Sequence, residues 1–292
     1  MTRRVSLPLQ VALSAVIALG STACAGTLET PAPSPTTAAI ASAGAVAPSA
    51  APTAAPTAAP STRPSPTAEP TPPQPRNPAA MDGAVPYRPT VDPSDFVDVI
   101  DNPYWPLKPG TSFVYEGGGE RTEVEVTSER RVVMGVSTVV VKDQVFEDGK
   151  LIEDTVDWYA QDRAGNVWYF GEATISFEHD PAGDKKGSWE AGVDGALPGV
   201  VMLADPRGGD VYRQEFYAGQ AEDLALVRHA SGVIKVRAGS FDGVLVTEEW
   251  SPLEPDRIEL KYYARGVGLV AERLIFGGDE LVQLVKMTPP GP

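Results

Sequence analysis

The chain has 292 residues, with 24 Lys and Arg against 39 Asp and Glu, a formal net charge of −15 at pH 7. Five of the basic and three of the acidic residues precede Val91, so the negative charge lies on the remainder. A field of that sign repels nucleic acid and anionic headgroups, which excludes nucleic acid as a partner and a basic membrane-binding face. The single cysteine, Cys24, excludes an intrachain disulfide.

The first residues read as a signal peptide over 1–23. Arg3 and Arg4 precede an apolar run, Val11 to Leu19, and the small residues Gly20-Ser21-Thr22-Ala23 follow. That run is too short to remain as a spanning helix, which needs about 20 residues. Ala23-Cys24 resembles a bacterial lipobox, although Ser21 departs from its usual leucine. The resemblance implies diacylglycerol on the Cys24 thiol, cleavage before it, and residence on the outer face of the bacterial cell membrane. The alternative is an ordinary signal-peptidase site, Ala23-Cys24-Ala25, which would release a secreted protein. Thr2-Arg3-Arg4 also partly matches a twin-arginine start, with Ser6 in place of the preferred phenylalanine.

Residues 24–90 read as a spacer. Of the 29 prolines, 14 lie between Pro31 and Pro78, and Ala51 to Pro60 repeats with proline every fourth residue. Pro, Ala, Thr and Ser at this density cannot bury enough apolar surface to offset ordering entropy, so disorder with polyproline II character is expected.

From Val91 on, the pattern is mainly β. Arg121 to Thr127 alternates, with Val124 and Val126 on one face. Val139 to Phe146 is β-branched and ends at Asp148-Gly149, the preferred pair for a two-residue hairpin turn. Leu151 to Gln161 returns, Asp162 to Asn166 turns, and Val167 begins the next strand. Toward the C-terminus, Val244–Trp250, Arg257–Ala264, Leu269–Phe276 and Glu280–Met287 form a meander. Gly266-Val267-Gly268 and Gly277-Gly278-Asp279 supply two of its turns. Short helices are expected only at Pro93–Ile100 and around Gln220–Leu226.

The expected fold is a curved antiparallel sheet or open half-barrel over 91–292, built from two related meander halves, 101–185 and 200–288. Three pairs of segments suggest the halves. Gly110–Tyr115 parallels Gly209–Gln214, Met134-Gly135-Val136 parallels Asp242-Gly243-Val244, and Trp158-Tyr159-Ala160 parallels Tyr262-Tyr263-Ala264. Asp101-Asn102-Pro103-Tyr104-Trp105-Pro106-Leu107-Lys108-Pro109-Gly110 and Tyr262 to Val270 resemble segments of uncharacterised secreted and lipid-anchored bacterial β proteins. These are distantly similar to half-barrel lipoprotein carriers. The resemblance implies a curved antiparallel sheet and brings no activity or site residue with it.

Catalytic patterns are absent from the sequence. His179 and His229 stand fifty residues apart, short of the three or four ligands a zinc site needs. No Gly-x-Ser-x-Gly is present, and Cys24 belongs to the anchor. Glu147, Asp148, Glu153, Asp154, Asp157 and Asp162 crowd one hairpin and read as a solvated acidic face. The rings of Trp158, Tyr159, Trp168, Tyr169, Phe170 and Trp189 read as core and cross-strand pairs. No catalytic, metal or cofactor residue is assigned, and no cofactor is implied. The leading expectation is a non-enzymatic, lipid-anchored binding protein outside the membrane, for an apolar ligand or an envelope component. The alternatives are an interaction module on wall polymer or envelope protein, and a glycan hydrolase.

Overall fold

The computed structural model describes residues 87–291. Cys24, the signal segment and the spacer up to residue 86 lie outside them. The strands, in chain order, are β1 (Phe96–Val97), β2 (Ser112–Gly117), β3 (Glu120–Val133), β4 (Val136–Glu147), β5 (Lys150–Asp162), β6 (Val167–Ser176), β7 (Trp189–Glu190) and β8 (Leu197–Met202). Then come β9 (Val211–Arg213), β10 (Glu215–Phe216), β11 (Leu224–Val236), β12 (Gly239–Trp250), β13 (Ile258–Ala264), β14 (Gly268–Phe276) and β15 (Leu281–Thr288).

All fifteen belong to one antiparallel sheet, ordered β10-β8-β6-β5-β4-β3-β2-β15-β14-β13-β12-β11-β9, with β1 beside β5 and β7 beside β6. The two outermost strands of this order, β9 and β10, are consecutive in the chain and separated by Gln214 alone. One pairs with β11 and the other with β8. A single short segment therefore holds both edges of the sheet, and the curvature expected of a half-barrel continues to near-closure.

The seam is tight. A Cβ added at Gly199 of β8 would collide with the backbone of Gln214 and Glu215. Gly199→Ala should therefore force β8 away from β10. Overpacking of this kind costs about 1–3 kcal/mol, read as a lower urea midpoint. An unchanged midpoint would show that the seam stands open in solution.

The turns follow their residues. Asp148 and Gly149 both have positive φ, 50° and 76°, as a two-residue hairpin requires. Gly266 and Gly268, at 75° and 104°, turn the chain from β13 into β14. The two expected helices do not form. Asp92 caps a three-residue 3-10 turn, Pro93–Asp95, but Phe96 is extended so that its ring meets Trp168 and Phe170 at 6.1 and 5.5 Å. Gln220 to Leu226 holds a turn closed by Tyr217 and Ala221 and then the start of β11.

The halves share local geometry. The Gly110 N–H donates to Val126 O and Val126 N–H to Thr111 O, at 2.7 and 2.9 Å. Gly209, Val227 and Asp210 repeat the arrangement at 2.8 and 2.8 Å. A register shift follows each of the two valines. The pairing of Met134-Gly135 with Asp242-Gly243 fails. The first is the β3–β4 turn, whereas Gly243 is a positive-φ residue inside β12, skipped between the partners of Gly232 and Val233. An Asp-Gly pair serves a bulge as readily as a turn.

Candidate functional site

On β5, side chains alternate between faces, so Glu153, Thr155, Asp157, Tyr159 and Gln161 share one. Their cross-strand partners carry that face onto β4 through Val141, Asp143 and Val145, and onto β6 through Tyr169, Glu172 and Thr174. This face is the barrel interior. Asp157 and Tyr169 are wholly buried, and Asp143, Glu153 and Glu172 nearly so. The opposite face is covered as well: Arg131 lies over the Trp158 ring at 4.1 Å.

Burial of these carboxylates overturns the solvated acidic face. Glu147 and Asp148 are exposed at the hairpin tip, but Glu153 and Asp157 point inward. Asp162 instead organises its turn, accepting from Asn166 N, Asn166 Nδ2 and Trp168 Nε1 at 2.9, 2.8 and 2.9 Å. The Tyr169 hydroxyl lies 2.7 Å from Asp157 Oδ1 and 3.1 Å from Glu172 Oε2. Burial pushes Asp157 up to about 7, offset in part by the Tyr169 bond, and Glu153 also to about 7. Glu172 is raised by burial and by the neighbouring Asp157 and Glu153.

The second half adds its own charges. Glu215, in the seam strand, is fully buried and raised by burial, and it senses Asp223, Glu172 and Lys261. Lys261 lies 3.1 Å from Glu249 Oε2 and 3.6 Å from Glu272 Oε2. Glu249 Oε1 also accepts from Thr247 Oγ1 and Tyr263 OH at 2.6 and 2.9 Å. Gln214 is wholly buried, and neither end of its amide makes a hydrogen bond.

The segment Asp101–Gly110, singled out in the sequence, closes one end of this interior. Asn102 Nδ2 donates to Gly165 O and Leu203 O at 2.9 and 3.1 Å, and Gln161 Oε1 accepts from the Asp101 and Asn102 amides at 2.9 and 2.8 Å. Gly266 N–H donates to Pro103 O at 2.8 Å, and the Arg265 guanidinium sits 4.4 Å over Tyr104. So anchored, Trp105 packs against one tyrosine of each half, Tyr159 at 5.8 Å and Tyr263 at 5.6 Å. Those are equivalent members of the Trp158–Ala160 and Tyr262–Ala264 pair. Under Trp105 lies a cavity of about 50 Å³, walled by Phe113, Tyr115, Tyr159 and Leu269, with Asp143 and Asp157 also lining it.

The other rings are core, as read from sequence. Tyr159 stacks on Tyr169 at 4.9 Å, and Trp189 meets Tyr169 edge-on at 5.3 Å. His179 and His229 are both exposed, and among the described residues no three His, Cys or carboxylate groups are placed to share a metal.

No family model matches the chain. No curated protein matches it either. Two solved structures align with it. One, from Bacteroides fragilis, is described as an exported protein with a YmcC-like fold: 13% identity over 64% of this chain and 99% of that one, TM-score 0.38. The other, from Parabacteroides distasonis, is described as a lipoprotein: 12% identity over 63% and 98%, TM-score 0.36. At these values neither description transfers to this chain.

The carboxylate-lined interior was missed in the sequence. The available signal was Glu153-x-Thr155-x-Asp157-x-Tyr159-x-Gln161, a polar stripe with the strand period.

Proposed function

We propose that this chain is an exported, lipid-anchored protein that holds a small ligand in the closed end of its barrel, outside the membrane. The anchor rests on Cys24 after its apolar run. The binding role is carried by one observation: a cavity under Trp105 whose wall includes Asp157, a fully buried carboxylate with one oxygen that makes no hydrogen bond. Buried polar groups are as a rule satisfied, and a lapse beside a cavity marks a place for a ligand. At about 50 Å³ the cavity admits a head group and no sugar ring, which disfavours glycan hydrolysis. The ligand body would leave along Leu107 and the half-exposed Val267.

Two measurements test the two parts. Cells fed a clickable fatty acid should label the wild type and not Cys24→Ser; an unlabelled wild type overturns the anchor. Native mass spectrometry of the purified chain should show a bound small molecule. A bare mass from several preparations overturns the binding role.

A further inference from the structure

We infer that the cavity under Trp105 takes the ammonium end of an organic amine, with the amine's apolar stem lying against Leu107, Phe113 and Leu269. This rests on the binding role proposed above and names its ligand class.

The wall is short of donors. Asp157 Oδ1 is engaged by Tyr169 at 2.7 Å, and Asp157 Oδ2, fully buried, makes no hydrogen bond. Asp143 lines the same cavity. The Tyr115 hydroxyl already donates to Leu269 O at 3.1 Å, which leaves its oxygen as an acceptor. Among the described residues no Lys, Arg or His lines the cavity, and Lys261, a buried lysine of the barrel, is engaged by Glu249 and Glu272. A ligand must therefore bring N–H or O–H donors, and two carboxylates favour a positive charge and disfavour an anion.

The rest of the wall agrees. Trp105, Tyr159 and Phe113 present rings, whose faces attract cations most strongly where water is excluded. A volume of about 50 Å³ suits a group the size of an ammonium with one or two carbons. A divalent metal ion is less suited, since among the described residues no third carboxylate completes a ligand set. A neutral alcohol of the same length would offer one donor and no charge.

The test is calorimetric titration of the purified full chain, at about pH 8, with n-butylamine and separately with n-butanol. Butylamine should bind at least about tenfold more tightly, the factor expected of a charge-assisted bond in a dry site. Asp157→Asn, which keeps the shape, should lose that advantage, and Asp143→Asn should weaken it. Circular dichroism confirms that both variants fold. Equal binding of alcohol and amine would overturn the ammonium assignment while leaving a ligand cavity in place. Undiminished amine binding by both variants would put the site elsewhere. Binding of neither probe would also overturn the assignment, whereas a co-purified molecule of another class would still uphold the binding role.

Discussion

Acidification from about pH 8 to about pH 5 is expected to raise the melting temperature of this protein. Burial pushes Asp157, Glu153 and Asp223 up to about 7, and raises Glu172 and Glu215 as well. In the unfolded chain such groups titrate near 4. Between about 4 and about 7 the folded state therefore binds more protons than the unfolded one, and stability falls as pH rises. The protonated interior contributes fully below that window and is lost as pH climbs through the folded values. Each group adds a slope of up to about 1.4 kcal/mol per pH unit, so several together amount to several kcal/mol. Scanning calorimetry across the window reads this directly. Surface repulsion from the net charge of −15 acts in the same direction but is screened by salt. The rise should therefore persist in about 1 M NaCl, where the Debye length is about 3 Å. A melting temperature that falls on acidification would mean that the carboxylates are solvated.

Lys261→Met should be the most damaging conservative change in the barrel. The lysine lies between Glu249 and Glu272 with about a twentieth of its side chain exposed, and those carboxylates are as deeply buried. Its proton is held well above the ordinary lysine range, because the attraction of Glu249, Glu272 and Glu259 exceeds the effect of burial. Removing the cation leaves uncompensated buried charge, which costs about 3–5 kcal/mol. Pairing Lys261→Met with Glu249→Gln and Glu272→Gln should restore much of the loss, since the ion group would then be absent as a whole. Urea unfolding of the single and triple variants checks both statements. A triple variant no better than the single would show that lysine packing, not charge, is what matters.

The β architecture was legible because strand periodicity and turn chemistry agreed. Asp148-Gly149 and the Gly266–Gly268 turn fell where the residues put them. The helices were misread because Pro93 and Asp92 do start a turn, and only the contact of Phe96 with Phe170, 74 positions on, decides that the chain continues extended. The interior was harder for a different reason. In a strand with one wet face, polar residues mark the outside. Here Trp158 and Phe170 lie under Arg131 and Phe96, so both faces of β5 and β6 are covered. Alternation then shows that two faces exist without showing which is inside, and Glu153 and Asp157 are read as solvated although Tyr159, on the same face, is read as core. Closure was also hidden, because β9 and β10 are three and two residues long and carry too little pattern to announce themselves.

The pairing of β15 with β2 has a consequence for how the molecule is made. Ser112 lies opposite Thr288, so the first long strand waits for the last. As the chain emerges from its N-terminal end, β2 to β8 can assemble early, yet that half keeps open edges until residues beyond Leu281 appear. Contacts between such distant positions are slow to form, and the unpaired edges meanwhile invite other chains. Loss of the final ten residues would therefore leave β2 without its partner and the barrel open between β2 and β14, although every residue of the first half's own core is present.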